Sequence, residues 1–125
     1  MLNRVDVHNN ETLNIQVASH DRKSYLIELS KDCTQFDLTI ECLENSFSKF
    51  FILNHAESAC VLNINMVLKQ DANCQMGVLD LEKSPLKWNH FVDLQEEGAE
   101  YEILSGQLCQ EHIEKVCDME VRHNA

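Results

Sequence analysis

In Phe36-Asp-Leu-Thr-Ile-Glu-Cys42 every second residue is apolar. A strand turns successive side chains to opposite faces, so this alternation reads as a half-buried β-strand. Phe36, Leu38, Ile40 and Cys42 share the inner face, while Asp37, Thr39 and Glu41 point to solvent. Three other stretches repeat the pattern: Cys60, Leu62, Ile64 and Met66; Ala72, Cys74, Met76 and Val78; and Ala99, Tyr101 and Ile103. Burying each larger side chain contributes about 1.5–3 kcal/mol, provided that a second layer faces it.

Helical readings are weaker. Leu43, Phe47, Phe50 and Phe51 allow a helix over 41–51, and 110–115 allows a short turn before the last strand, but both lie between better strand patterns. With one proline and three glycines the chain has no Asn-Gly or Asp-Gly turn of the kind that joins antiparallel hairpins. A looser repeat appears in their place. A leucine is followed after four to six positions by a small residue that opens a strand, in the pairs Leu29 and Cys33, Leu53 and Ala59, Leu68 and Ala72, and Leu94 and Ala99. The small residues are 26, 13 and 27 positions apart, one or two multiples of thirteen, as a solenoid with two strands per turn requires. Residues 1–125 read as one domain, with the solenoid from about residue 25 onward and 1–24 as an N-terminal strand or extension.

The net charge of −11 repels phosphate backbones and anionic lipid, which makes nucleic acid and membrane poor partners. The opening residues lack the apolar run of a signal peptide, and no segment approaches the roughly 20 apolar residues of a membrane span, so a cytoplasmic location is expected. Cys33, Cys42, Cys60, Cys74, Cys109 and Cys117 include no pair at zinc-knuckle spacing and are expected to be mostly reduced and buried.

Catalytic signatures are missing too. There is no G-x-S-x-G, and the glycines are scattered, so neither a nucleophile elbow nor a phosphate-cradling loop is expected. No pair of histidines shows His-x-His or His-x-x-x-His spacing. The sharpest constellation is Cys117-Asp-Met-Glu-Val-Arg-His123, yet along an extended strand its thiol and imidazole stand about 20 Å apart, too far to share one ion. Cys117 can instead meet Cys109 or His112 on a neighbouring rung, and these four residues, Cys109, His112, Cys117 and His123, are the only metal candidates. The ordinary reading is that Cys117 is core and His123 a hydrogen-bonded strand end. Glu96, Glu97, Glu100 and Glu102 read as exposed strand charges, and Trp88 with His90 and Phe91 as core or as an interface anchor.

Leu94-Gln-Glu-Glu-Gly-Ala-Glu-Tyr-Glu-Ile-Leu-Ser-Gly106, followed after a spacer by Asp118-Met-Glu-Val-Arg-His123, resembles the SufB/SufD family of iron–sulfur cluster assembly proteins. The likeness lies in a small-residue turn, the strands after it, and an aspartate-containing strand that ends in histidine, and the similar pattern runs from about Ile27 onward. It implies an all-β, right-handed parallel β-helix covering roughly the first part of the family's core. It also implies a non-enzymatic scaffold that works by protein–protein interaction with an ABC-type ATPase and a paralogous subunit, as a homo- or hetero-oligomer. The resemblance places the cluster-related residues beyond this stretch, so no cofactor is expected in this chain and an Fe–S cluster only in the full assembly. Two other readings stand beside it: a direct metal or cluster carrier through Cys109, His112 and Cys117, and an unrelated small β-sandwich binding domain.

Overall fold

A computed structural model describes the backbone over residues 2–80, 86–107 and 115–123, and the side chains over 2–79, 86–103 and 120–122. The described residues form ten strands: β1 Leu2–Val7, β2 Asn10–Val17, β3 Arg22–Leu29, β4 Gln35–Cys42, β5 Phe47–Asn54, β6 Cys60–Leu68, β7 Asn73–Asp80, β8 Leu86–Leu94, β9 Glu100–Gln107 and β10 Lys115–His123. No helix occurs among the described residues, and so none that is long and apolar enough to cross a membrane.

Odd and even strands segregate into two parallel sheets, ordered β1-β3-β5-β7-β9 and β10-β8-β6-β4-β2. Each turn of the chain therefore lays one strand in each sheet and climbs one step, which is a β-solenoid with two strands per rung. The register fixes the repeat: Asn10 pairs with Gln35, Gln35 with Val61, Val61 with Lys87 and Lys87 with Val116, offsets of 25, 26, 26 and 29 residues. The doubled thirteen-residue period expected from sequence is this climb. A β-sandwich is excluded, because every strand pair is parallel.

Apolar residues stack in columns between the sheets. Phe36, Leu62 and Trp88 form one column and Ile40, Met66 and Val92 another, all fully or almost fully buried. Across from them Tyr25 lies flat on Phe50, with ring centroids 5.1 Å apart and planes within 3°. Parallel strands about 4.8 Å apart bring identical positions of successive rungs into contact, so each column is continuous along the axis. Residues 41–51, readable as a helix, instead finish β4, turn at 43–46 and begin β5. The two flanking strands bury Ile40, Cys42, Phe50 and Ile52 in the common core, which about three turns of helix over 41–51 could not do while keeping the strand registers on either side.

In the leucine repeat, Leu68 and Leu94 are register partners and Cys33 and Ala72 are buried, as the spacing requires. Leu53 is one position out of step. It faces outward, Asn54 takes the inward position opposite Leu29, and the small buried residue at that corner is Ala56 rather than Ala59. Asn54 is tolerated there because its side-chain oxygen accepts the Ala56 amide at 3.0 Å, a local Asx turn. β1 and β2 pair in register with β3 and β4, so residues 2–17 are already a rung of the solenoid.

The corner that leads from the even sheet to the odd one repeats a single backbone feature. His20, Asn45, Asp71 and Gly98 have φ of 64°, 59°, 57° and 78° and occupy successive rungs. The His20, Asn45 and Asp71 amides donate to carbonyls of Glu44, Gln70 and Glu97, each one rung on. A left-handed residue at every turn suits Asn, Asp and Gly, which enter this region most readily. At Gly98 an added Cβ would stand 1.8 Å from Asp71 Oδ1 and 3.4 Å from the Asp71 Cα. Gly98→Ala is therefore expected to cost about 1–2 kcal/mol, with Asp71 displaced. A variant as stable as wild type in urea would show that this corner is free to rearrange.

Candidate functional site

Among the described residues the buried polar side chains are Ser46, Ser48, Asn54 and His90. In β8 the inward sequence is Leu86, Trp88, His90, Val92 and Leu94, so an imidazole occupies a core position. Trp88 Nε1–H donates to His90 Nδ1 at 3.1 Å, and His90 Nε2 faces the Tyr101 hydroxyl of β9 at 2.6 Å. Because Nδ1 accepts, the neutral ring carries its proton on Nε2 and donates it to Tyr101 Oη. Burial pushes the imidazole down to about 4, and it pushes the Tyr101 phenol up, with the neighbouring Cys74 and Cys42 adding to the rise. Near neutral pH the ring is uncharged and the phenol protonated. The trio thus ties β8 to β9 through uncharged groups.

Two thiol pairs flank this trio. Cys74, the register partner of Tyr101, hydrogen-bonds to Cys42, whose sulfur lies 3.5 Å from Ser48 Oγ. That hydrogen bond, with burial, pushes the Cys74 thiol up, while Cys42, receiving it, is held below its ordinary value. At the opposite corner Cys60 Sγ donates to Cys33 Sγ at 3.9 Å. All four thiols are buried, in agreement with the expectation from composition.

The outer face of the even sheet carries a polar ladder. Asn89 Nδ2 donates to Asn63 Oδ1 at 2.8 Å, Asn63 Nδ2 to Asp37 Oδ1 at 2.7 Å, and Gln35 Nε2 to Asp37 Oδ2 at 3.1 Å. The ladder borders an open groove of about 520 Å³ together with Asn65, Phe91 and Glu120. Its amides are largely spent on one another along the axis, which ties rungs together and leaves few donors for a ligand. On the odd sheet's outer face Phe51, 52% exposed, and Leu79, 42% exposed, form an apolar strip, with the Phe51 ring over Gly77.

Of the four metal candidates, Cys109 and His112 lie outside the described residues. Cys117 and His123 fall in β10, opposite Trp88 and Leu94 of β8, and their side chains are likewise outside the description. Among the described residues no group of three or more His, Cys, Asp or Glu could hold a metal ion. Trp88 is core, as one of the sequence readings has it, whereas Phe91 faces outward in the groove. The tie from His90 to Tyr101 was not legible in sequence. The one available signal was a histidine on the inward parity of an otherwise apolar strand.

The fold and its interior define a class, a parallel β-solenoid with two strands per rung, a buried Trp–His–Tyr tie and reduced internal thiols. Comparison with protein-family models, with curated proteins and with solved structures returned no match.

Proposed function

We propose that the chain is a scaffold module of the SUF iron–sulfur cluster assembly system, SufD- or SufB-like, acting in the cytoplasm by protein–protein interaction and not by catalysis. The carrying observation is the parallel β-solenoid, the architecture that the resemblance of residues 94–106 and 118–123 implied, here running from β1 to β10. The surface adds support. Both sheets have open edges among the described residues, at β1 and β2 on one end and at β9 and β10 on the other. Leu2 and Val121, on edge strands at opposite ends, are 52% and 42% exposed. Unpaired strand groups beside apolar side chains favour pairing with another β-rich subunit. In this reading the partners are a paralogous scaffold subunit and an ABC-type ATPase, and a cluster belongs to the full assembly.

The chain is expected to run as a dimer or larger species at tens of micromolar, about the scale at which a micromolar edge contact is occupied. Val121→Lys, placing a charge on the β10 edge, is expected to weaken that association at least about tenfold. Sedimentation showing a clean monomer for the unaltered chain at that concentration would count against edge pairing. Failure of the purified chain to form a complex with the ATPase and paralogue co-expressed beside it would remove the scaffold reading itself.

A further inference from the structure

We propose that the outer face of the odd sheet docks a second copy of this chain, face to face and with its solenoid axis reversed. Side chains of outward parity on this sheet include an apolar group at its centre. Leu26, Phe51 and Gly77 share one column, and Leu53 and Leu79 lie side by side in the next. Phe51 and Leu79 are exposed, and the Phe51 ring leans over Gly77, where an added Cβ would stand 2.7 Å from it. Beside the ring Lys49 and Glu102 border a shallow notch of about 140 Å³. Apolar side chains grouped on one face, unlike those scattered singly, mark an interaction surface.

Charge selects the occupant. Arg22 shares its column with Glu100, and Lys49 shares the next with Glu102, so that bases stand on β3 and β5 and acids on β9, at the same ends of their strands. On this face Arg4 already pairs with Glu28 at 3.6 Å. Arg22 and Lys49 instead lie over the Phe47 ring, with their charged groups 5.2 and 5.7 Å from its centroid, and Glu100 accepts the neutral amide of Asn73. Bases at one end of the face and acids at the other are matched by a reversed copy of the same face.

A two-fold axis parallel to the strands, midway between β5 and β7, lays β5 on β7 and β3 on β9 of the second copy, as an isologous contact requires. In that register Arg22 meets Glu100, Leu53 meets Leu79, and the two Phe51 rings, each leaning toward Gly77, close on the axis. Parallel solenoid axes would instead gather Glu100 and Glu102 of both copies at one end, where like charges repel in a chain already at −11. Five strands about 4.8 Å apart and about eight residues long give a face of roughly 600 Å² per copy, short of the roughly 800 Å² of a standard stable complex. The contact is therefore weak, with a dissociation constant on the order of hundreds of micromolar, and distinct from pairing at the strand edges.

The test is made in the Val121→Lys chain, in which edge pairing is weakened. Sedimentation equilibrium at about 0.1–1 mM is expected to show a monomer–dimer equilibrium that shifts toward monomer with added salt. Arg22→Glu and Glu100→Arg, each added singly, should weaken it at least about tenfold, and the two together should restore it to within about threefold. Arg22→Cys combined with Glu100→Cys, treated with oxidised glutathione, should give a dimer whose linked peptides carry positions 22 and 100. Within one copy these positions lie three strand spacings apart, about 14 Å, too far for a disulfide. All the substituted side chains are on the outer face, so the core is untouched. A clean monomer at these concentrations, or no rescue by the double charge exchange, overturns the proposal. So does a link between positions 22 and 28 in Arg22→Cys with Glu28→Cys, the signature of parallel axes.

Discussion

Trp88→Ala is expected to destabilise the chain by about 3–5 kcal/mol, the range for removing a buried tryptophan from a packed core. The side chain is 1% exposed and belongs to the column that continues through Leu62 and Phe36, so its loss opens a cavity between rungs rather than at the surface. It also withdraws the donor that His90 Nδ1 accepts at 3.1 Å and leaves a buried acceptor unpaired. In a solenoid each rung rests on its neighbours, so the last rungs should loosen with it. Urea unfolding followed by circular dichroism measures the change. Trp88→Phe, which retains most of the volume and loses only the indole N–H, should cost about 1–2 kcal/mol. Equal costs for the two variants would mean that packing volume is irrelevant at this position, contrary to the column described.

Acid is expected to weaken the fold through His90. The imidazole titrates near 6.5 when unfolded and at about 4 when buried in the native state. Between these values the unfolded chain holds a proton that the folded chain refuses, so stability falls as pH falls from about 6.5 to 4 and is unaffected by this group above that window. At about 1.4 kcal/mol per unit the loss amounts to about 3 kcal/mol by pH 4. The many carboxylates add their own dependence, so the informative quantity is a difference. His90→Gln keeps an acceptor for Trp88 and has nothing to titrate, and its stability should therefore drop less than that of the unaltered chain over the window. Parallel curves from pH 7 to pH 4 would show that His90 is not buried neutral.

The two predictions draw on one feature that sequence reveals only in part. Alternation at 36–42, 60–66, 72–78 and 99–103 is legible because a strand buries every second side chain whatever its neighbours are, and those inward faces are almost purely apolar. β8 obeys the same parity, yet His90 on the inward side breaks the pattern. An imidazole is acceptable in a core only if both nitrogens find partners, and one of them, Tyr101, comes from the other sheet. β1 to β3 and β5 were harder still, since partly exposed strands at the solenoid's end and the outward Phe51 and Leu53 blur the alternation. The column of left-handed residues at 20, 45, 71 and 98 is a signal at the right spacing. It went unread because His, Asn, Asp and Gly share a backbone tolerance and not a hydropathy.

The sequence by itself determined the class of structure: β-rich, without hairpin turns, repeating near 26 residues and burying the four cysteines that are described. Local sterics and period-two burial act within a few residues, which is why they can be read along the chain. Only the tertiary structure decided which positions meet. Cys33 reaches Cys60, and His90 reaches Tyr101, through the climb of one rung and the gap between two sheets. A shift of one residue in either register, as at Leu53, would turn those side chains to the opposite face.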